Sequence, residues 1–80
     1  MGYHIREIKK GKLGEASKIT EEYQEFLDSL EQNNKVMALV ELSDLLGAIE
    51  AYVAKFNLTL NDLIYMKNAT KRAFDSGSRT

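Results

Sequence analysis

The chain contains no cysteine and no proline. Without cysteine, a disulfide framework and a thiolate metal site are both closed to it. Yet eighty residues lie near the lower limit of what one hydrophobic core stabilises unaided. Oligomerisation is the stabiliser that remains. The absence of proline and of Asn-Gly hairpin signals favours helices over a strand-rich fold. An excess of one charge is lacking too: eleven Lys and Arg face twelve Asp and Glu, a formal net charge of −1. Such a balance provides no overall drive towards nucleic acid or an anionic membrane. No apolar run approaches the roughly 18 residues of a membrane span. The start, "MGYHIREIKKGK", is basic but has no apolar h-region, so it does not read as a secretory signal. Gly2 is followed by "YHIR", without the serine or threonine of a myristoylation site. The expected location is cytoplasmic.

Three kinds of chemistry are excluded by what is missing. The single histidine, His4, rules out a ferritin-like di-iron site, which takes an E-x-x-H from each of two helices. Nucleophilic Ser/His and Cys/His arrangements have no support. Neither G-x-x-x-x-G-K-[ST] nor G-x-G-x-x-G is present, so a glycine-rich loop would not hold a nucleotide.

What is present reads as helix. Hydrophobic residues make up 44% and charged residues 29% of the chain, as in ordinary globular proteins. Residues 1–13 form a short basic arm, with "YHIREI" a candidate extended stretch. A first helix is expected from Gly14 to Leu30, where Ile19, Tyr23, Phe26, Leu27 and Leu30 make one apolar stripe. On this wheel Glu22 sits on the shoulder of the stripe, while Glu21 and Asp28 point further out. "EQNN" supplies a turn, and Asn34 caps a second helix from Lys35 to Lys55. That helix carries Val36, Leu39, Val40, Leu42, Leu45, Leu46, Ile49, Tyr52 and Val53 around most of its circumference, so it should be buried on several sides. Two further helices of so short a chain cover only part of it, which makes a second copy the expected cover. Gly47, Ala48 and Ala51 would permit a close helix crossing. A third helix starts at "NLTLNDL", with Thr59 capping against Asp62 and Leu58 stapled to Leu63, and runs to Asp75. Gly77 is a stop signal, and residues 78–80 are a tail. The expected fold is all-α, with three helices per chain closing into a bundle by homodimerisation.

Acids stand where this pattern makes them costly. "EEYQE" on the first helix places Glu22 and Glu25 at i and i+3, and "ELSD" on the second places Glu41 and Asp44 at the same spacing. Packed side by side, the two helices would bring four carboxylates together. Like charges in a dry site raise one another's pKa values, and a hard divalent cation held by carboxylate oxygens resolves the conflict. The competing reading is that an E-x-x-E pair is solvated helix surface. On the third helix the stripe of Leu60, Leu63 and Ile64 continues through Lys67 and Lys71 before Phe74, with Asn68 and Arg72 alongside. A face that turns cationic half-way needs an anionic partner or must snorkel to solvent. The acid cluster or a nucleotide's phosphates would serve. The lysines equally suit the negative end of a helix dipole.

"EEYQE" and, after fifteen intervening residues, "ELSD" resemble the E-E-x-x-E … E-x-x-D pattern of the all-α nucleoside triphosphate pyrophosphohydrolases. This superfamily includes MazG, the dimeric dUTPases and phosphoribosyl-ATP pyrophosphohydrolase. "ELSDLLGAIEAY" is similar to the E-x-x-D-L-L segment of MazG-like chains, including short phage-encoded ones, and "KNATKRAF" to the basic segment that follows. The resemblance spans residues 14–77 and implies a MazG-like four-helix bundle assembled from two subunits, which could pair further into a tetramer. It implies that Glu22, Glu25, Glu41 and Asp44 hold Mg²⁺, with Mn²⁺ as the substitute, and that Glu21 and Glu25 take part in catalysis. Lys67, Asn68, Lys71 and Arg72 are then candidates for the substrate phosphates. The implied reaction is Mg²⁺-dependent conversion of an NTP or dNTP to the monophosphate and pyrophosphate. The alternatives are a phosphoribosyl-ATP pyrophosphohydrolase-type activity and a non-catalytic helical dimer that binds nucleotide or protein. This chain is short for the family and lacks the elements that shape base recognition in longer relatives.

Overall fold

Asparagine punctuates the chain twice, and each time the backbone turns left-handed. Asn33 (φ +56°) and Asn57 (φ +59°) take the one conformation that asparagine tolerates better than other non-glycine residues. At the first, the Asn34 N–H donates to the Ser29 carbonyl and the Asn33 N–H to that of Leu30, both at 3.0 Å. At the second, Leu58 donates to Val53 and Asn57 to Ala54. Both are Schellman closures, which satisfy the carbonyls left over at a helix end.

The computed structural model describes residues 6–75, with side chains described over 6–71. These residues form α1 (Ala16–Glu31), α2 (Lys35–Val53), a single 3₁₀ turn (Ala54–Phe56) and α3 (Leu60–Asp75). Among the described residues the structure is all-helical, with three α-helices rather than four and no strand. No helix is long and apolar enough to cross a membrane. The expected boundaries shift by a few residues: α1 begins at Ala16 instead of Gly14, and the last turn expected of α2 tightens into the 3₁₀ segment. Asn34 caps α2 by accepting the Met37 N–H at 3.0 Å. Thr59 and Asp62 form a reciprocal capping box at the start of α3, with bonds of 2.8 and 3.2 Å. His4, Gly77 and the tail lie outside the described residues.

α1 and α2, joined by three residues, pack along each other as an αα-hairpin. α3 touches α2 and not α1. The molecule is accordingly extended, with a radius of gyration of 15.0 Å against about 12 Å for a compact domain of this length. The buried apolar residues among the described residues are small ones, Ala38, Ala48 and Val53. Ala48 is buried, whereas the space around Gly47 is open. The large residues of α2 do not find cover in the chain: Val36, Leu39, Val40, Leu42 and Leu46 are exposed. Ile64, Tyr65 and Met66 of α3 are exposed as well.

The buried face of α1 is polar: Glu21, Glu22, Asp28 and Ser29. This corrects the expectation that Glu21 and Asp28 point outwards, and the reason is the arm. Residues 6–12 lie along α1, and the acids accept their backbone N–H groups. Arg6 donates to Asp28 Oδ2 at 2.8 Å, Gly11 to Glu21 Oε1 at 2.8 Å and Lys12 to Ser17 Oγ at 3.0 Å. Gln32 Nε2 donates to the other Asp28 oxygen at 2.5 Å, and the Arg6 guanidinium pairs with Glu31. Gly11 is required for this approach. A Cβ there would stand 2.2 Å from the Ser17 carbonyl oxygen and 2.5 Å from the Lys18 nitrogen.

Candidate metal centre

Period 3.6 sets which acids meet. In α1, Glu22 and Glu25 project from adjacent turns on the side that faces α2, and in α2 Glu41 and Asp44 do the same towards α1. Ligand-capable oxygens of Glu22, Glu41 and Asp44 lie within 4.8 Å of one another, and so do those of Glu21, Glu22 and Glu25. Glu22 belongs to both groups. The two groups are further joined by an interaction between Glu25 and Glu41. Glu22 and Glu41 are buried, Glu25 is half-buried and Asp44 opens to solvent.

Its electrostatics are those of an under-neutralised site. Glu41, 1% exposed, has its pKa raised by burial and further by the charges of Asp44 and Glu22, against a lowering by the Glu25 hydrogen bond. Lys18 supplies part of the missing positive charge: its ammonium is 3.1 Å from Glu22 Oε2 and 3.2 Å from Glu21 Oε1. These contacts raise the Lys18 pKa, the Glu22 hydrogen bond foremost. They leave Glu22 Oε1 buried and without a hydrogen-bond partner among the described residues, although a buried carboxylate oxygen normally has one. An all-carboxylate donor set with an orphaned oxygen fits a hard divalent cation such as Mg²⁺.

Glu21 is held from the arm as well. Its oxygens are engaged by the Gly11 N–H (2.8 Å), Lys18 (3.2 Å) and Lys10 (3.7 Å). Burial pushes its pKa up, but these partners outweigh burial and hold it below the usual carboxylate range. Glu21 anchors the arm. The candidate phosphate ligands lie on α3, which packs on α2 and not on α1. Lys67 and Asn68 are exposed, with the Lys67 ammonium donating to Asn68 Oδ1 at 3.0 Å. Lys71 is exposed too, and the Arg72 side chain lies outside the described residues. Sequence reasoning missed Lys18, Gly11 and Ser17. Lys18 was detectable, since it stands at i−3 and i−4 from Glu21 and Glu22. The other two act through the path of the arm, which carries no periodicity.

No family model, curated protein or solved structure matches the chain.

Proposed function

We propose that this protein is an Mg²⁺-dependent nucleoside triphosphate pyrophosphohydrolase of the MazG-like kind, acting as a homodimer. The observation that carries the reading is the meeting of carboxylates from α1 and α2 around the unsatisfied Glu22 Oε1. Glu22, Glu41 and Asp44, with Glu25 beside them, would hold the cation. A bound Mg²⁺ would supply charge neutralisation for the phosphates and acidify a water. Glu25, half-buried beside the three ligands, is the carboxylate that would orient the attacking water and accept its proton. The water oxygen bonds to the α-phosphorus, the bond from that phosphorus to the bridging oxygen breaks, and pyrophosphate leaves with the electron pair. Glu21 is committed to the arm, so its contribution is to hold structure. Lys67, Asn68, Lys71 and Arg72 would meet the leaving pyrophosphate from a second copy, offsetting its developing charge. Two copies would meet through Val36, Leu39, Val40 and Leu46, which form one exposed side of α2. The open space at Gly47 on that side suits a close approach of helices.

The test is pyrophosphate release with Mg²⁺ across NTPs, dNTPs and phosphoribosyl-ATP. We expect turnover of at least one nucleoside triphosphate and a loss of about 100-fold in Glu41→Gln and Asp44→Asn, each still folded. Turnover of phosphoribosyl-ATP alone moves the assignment to that activity. Nucleotide binding without product refutes hydrolysis and leaves a binding dimer.

A further inference from the structure

We propose that residues 6–12 are a positioning element for the acid cluster, acting through a relay from the Gly11 N–H to Glu21, to Lys18, to Glu22. The inference rests on the metal reading above and concerns how Glu22 is aimed. One oxygen of Glu22 is held by Lys18 at 3.1 Å, and the other is buried and unsatisfied. A carboxylate pinned by one oxygen presents the other in a fixed direction, as partners of metal-ligating carboxylates do. Lys18 is itself located by Glu21 at 3.2 Å. Glu21 is located by the Gly11 N–H at 2.8 Å and by Lys10 at 3.7 Å. Each link is short, and three of its members are mostly removed from solvent: the side chains of Glu21, Glu22 and Lys18 are 3%, 7% and 26% exposed.

The relay begins where the arm comes closest to α1. The atoms that a Gly11 side chain would meet are backbone atoms of Ser17 and Lys18, which cannot swing aside as a side chain does. A methyl group at Gly11 therefore pushes the arm away from the residue that orients Glu22. Lys18 has a second conceivable role with the opposite signature. If it merely filled in for a cation, its removal would tighten divalent binding by freeing Glu22 Oε2.

Calorimetric titration of the full chain with Mg²⁺, and with Mn²⁺ in parallel, tests the relay. Lys18→Met is expected to weaken binding by about 10- to 100-fold, and Lys18→Arg to recover most of the loss. Gly11→Ala and Glu21→Gln should weaken it in the same direction. Gly11→Ala placed on Lys18→Met should add little, because both break one chain of contacts. Unchanged or tighter binding in Lys18→Met overturns the proposal, as does full additivity of the pair. If circular dichroism shows Gly11→Ala unfolded, Glu21→Gln decides in its place, with unchanged affinity counting against the relay. Failure of the wild type to bind either ion defeats the metal reading itself, and the relay with it.

Discussion

Glu21 and Glu41 are both almost fully buried, yet their proton affinities move in opposite directions. For each, burial is the largest influence and favours the neutral acid. At Glu21 it is outweighed by the Gly11 N–H and by Lys18 and Lys10; at Glu41 it is reinforced by Asp44 and Glu22. Linkage then gives opposite signs. A carboxyl lowered in the folded state contributes stability above its unfolded value, 4.5 here, and loses it as the pH falls through the folded value. Glu41, raised in the folded state, contributes fully below 4.5 and loses that contribution as the pH rises through its folded value. With divalent ions chelated at pH 7, Glu41→Gln should therefore stabilise the protein by about 1 kcal/mol, or about 4–8 °C in Tm. The gain should shrink at pH 4. Thermal melts at the two pH values check this, and a lower melting temperature for Glu41→Gln at pH 7 would show that the buried charge is already compensated. A divalent ion bound at the proposed centre would compete with the Glu41 proton, so Mg²⁺ affinity in the wild type should rise with pH across the raised value.

Among the elements, α2 and α3 begin on different terms. Asn34 caps a helix packed along α1, so its loss is felt by the whole hairpin. Asn34→Ala should cost about 1 kcal/mol in urea unfolding, as cap removals do. Thr59 caps α3, which leans on α2 alone. Thr59→Ala should fray α3 in hydrogen exchange while the amides of α1 and α2 keep their protection. A cooperative loss throughout the chain after Thr59→Ala would mean that α3 is integral to the core. Residues 6–12 are the third kind of element: the N–H groups of Arg6, Gly11 and Lys12 depend on two carboxylates and a hydroxyl of α1.

Among the described residues, one side of α2 leaves large apolar side chains in water. Leu39 and Val36 are about 68% and 72% exposed, and contiguous patches of this sort mark contact surfaces. Small domains without disulfides or metals gain stability by association. The proposed dimer predicts a melting temperature that rises with protein concentration. It also predicts that Leu39→Glu combined with Leu46→Glu yields a monomer in sedimentation, with a lower melting temperature. A double variant that sediments and melts as the wild type does would place the interface elsewhere.

Local chemistry was enough to read the helices. Asn34, the Thr59–Asp62 box and the apolar periods of α1 and α2 act within a turn or two, so they announce the three α-helices without knowledge of the fold. The i, i+3 spacing likewise placed Glu22 with Glu25, and Glu41 with Asp44, on common sides of their helices. Distances across the hairpin depend on how α1 and α2 pack, and the burial of Glu21 and Asp28 depends on where the arm lies. Neither follows from periodicity, because a segment without a repeat leaves no trace of the surface it covers. Packing alone made α1's hidden face acidic and left the apolar side of α2 bare.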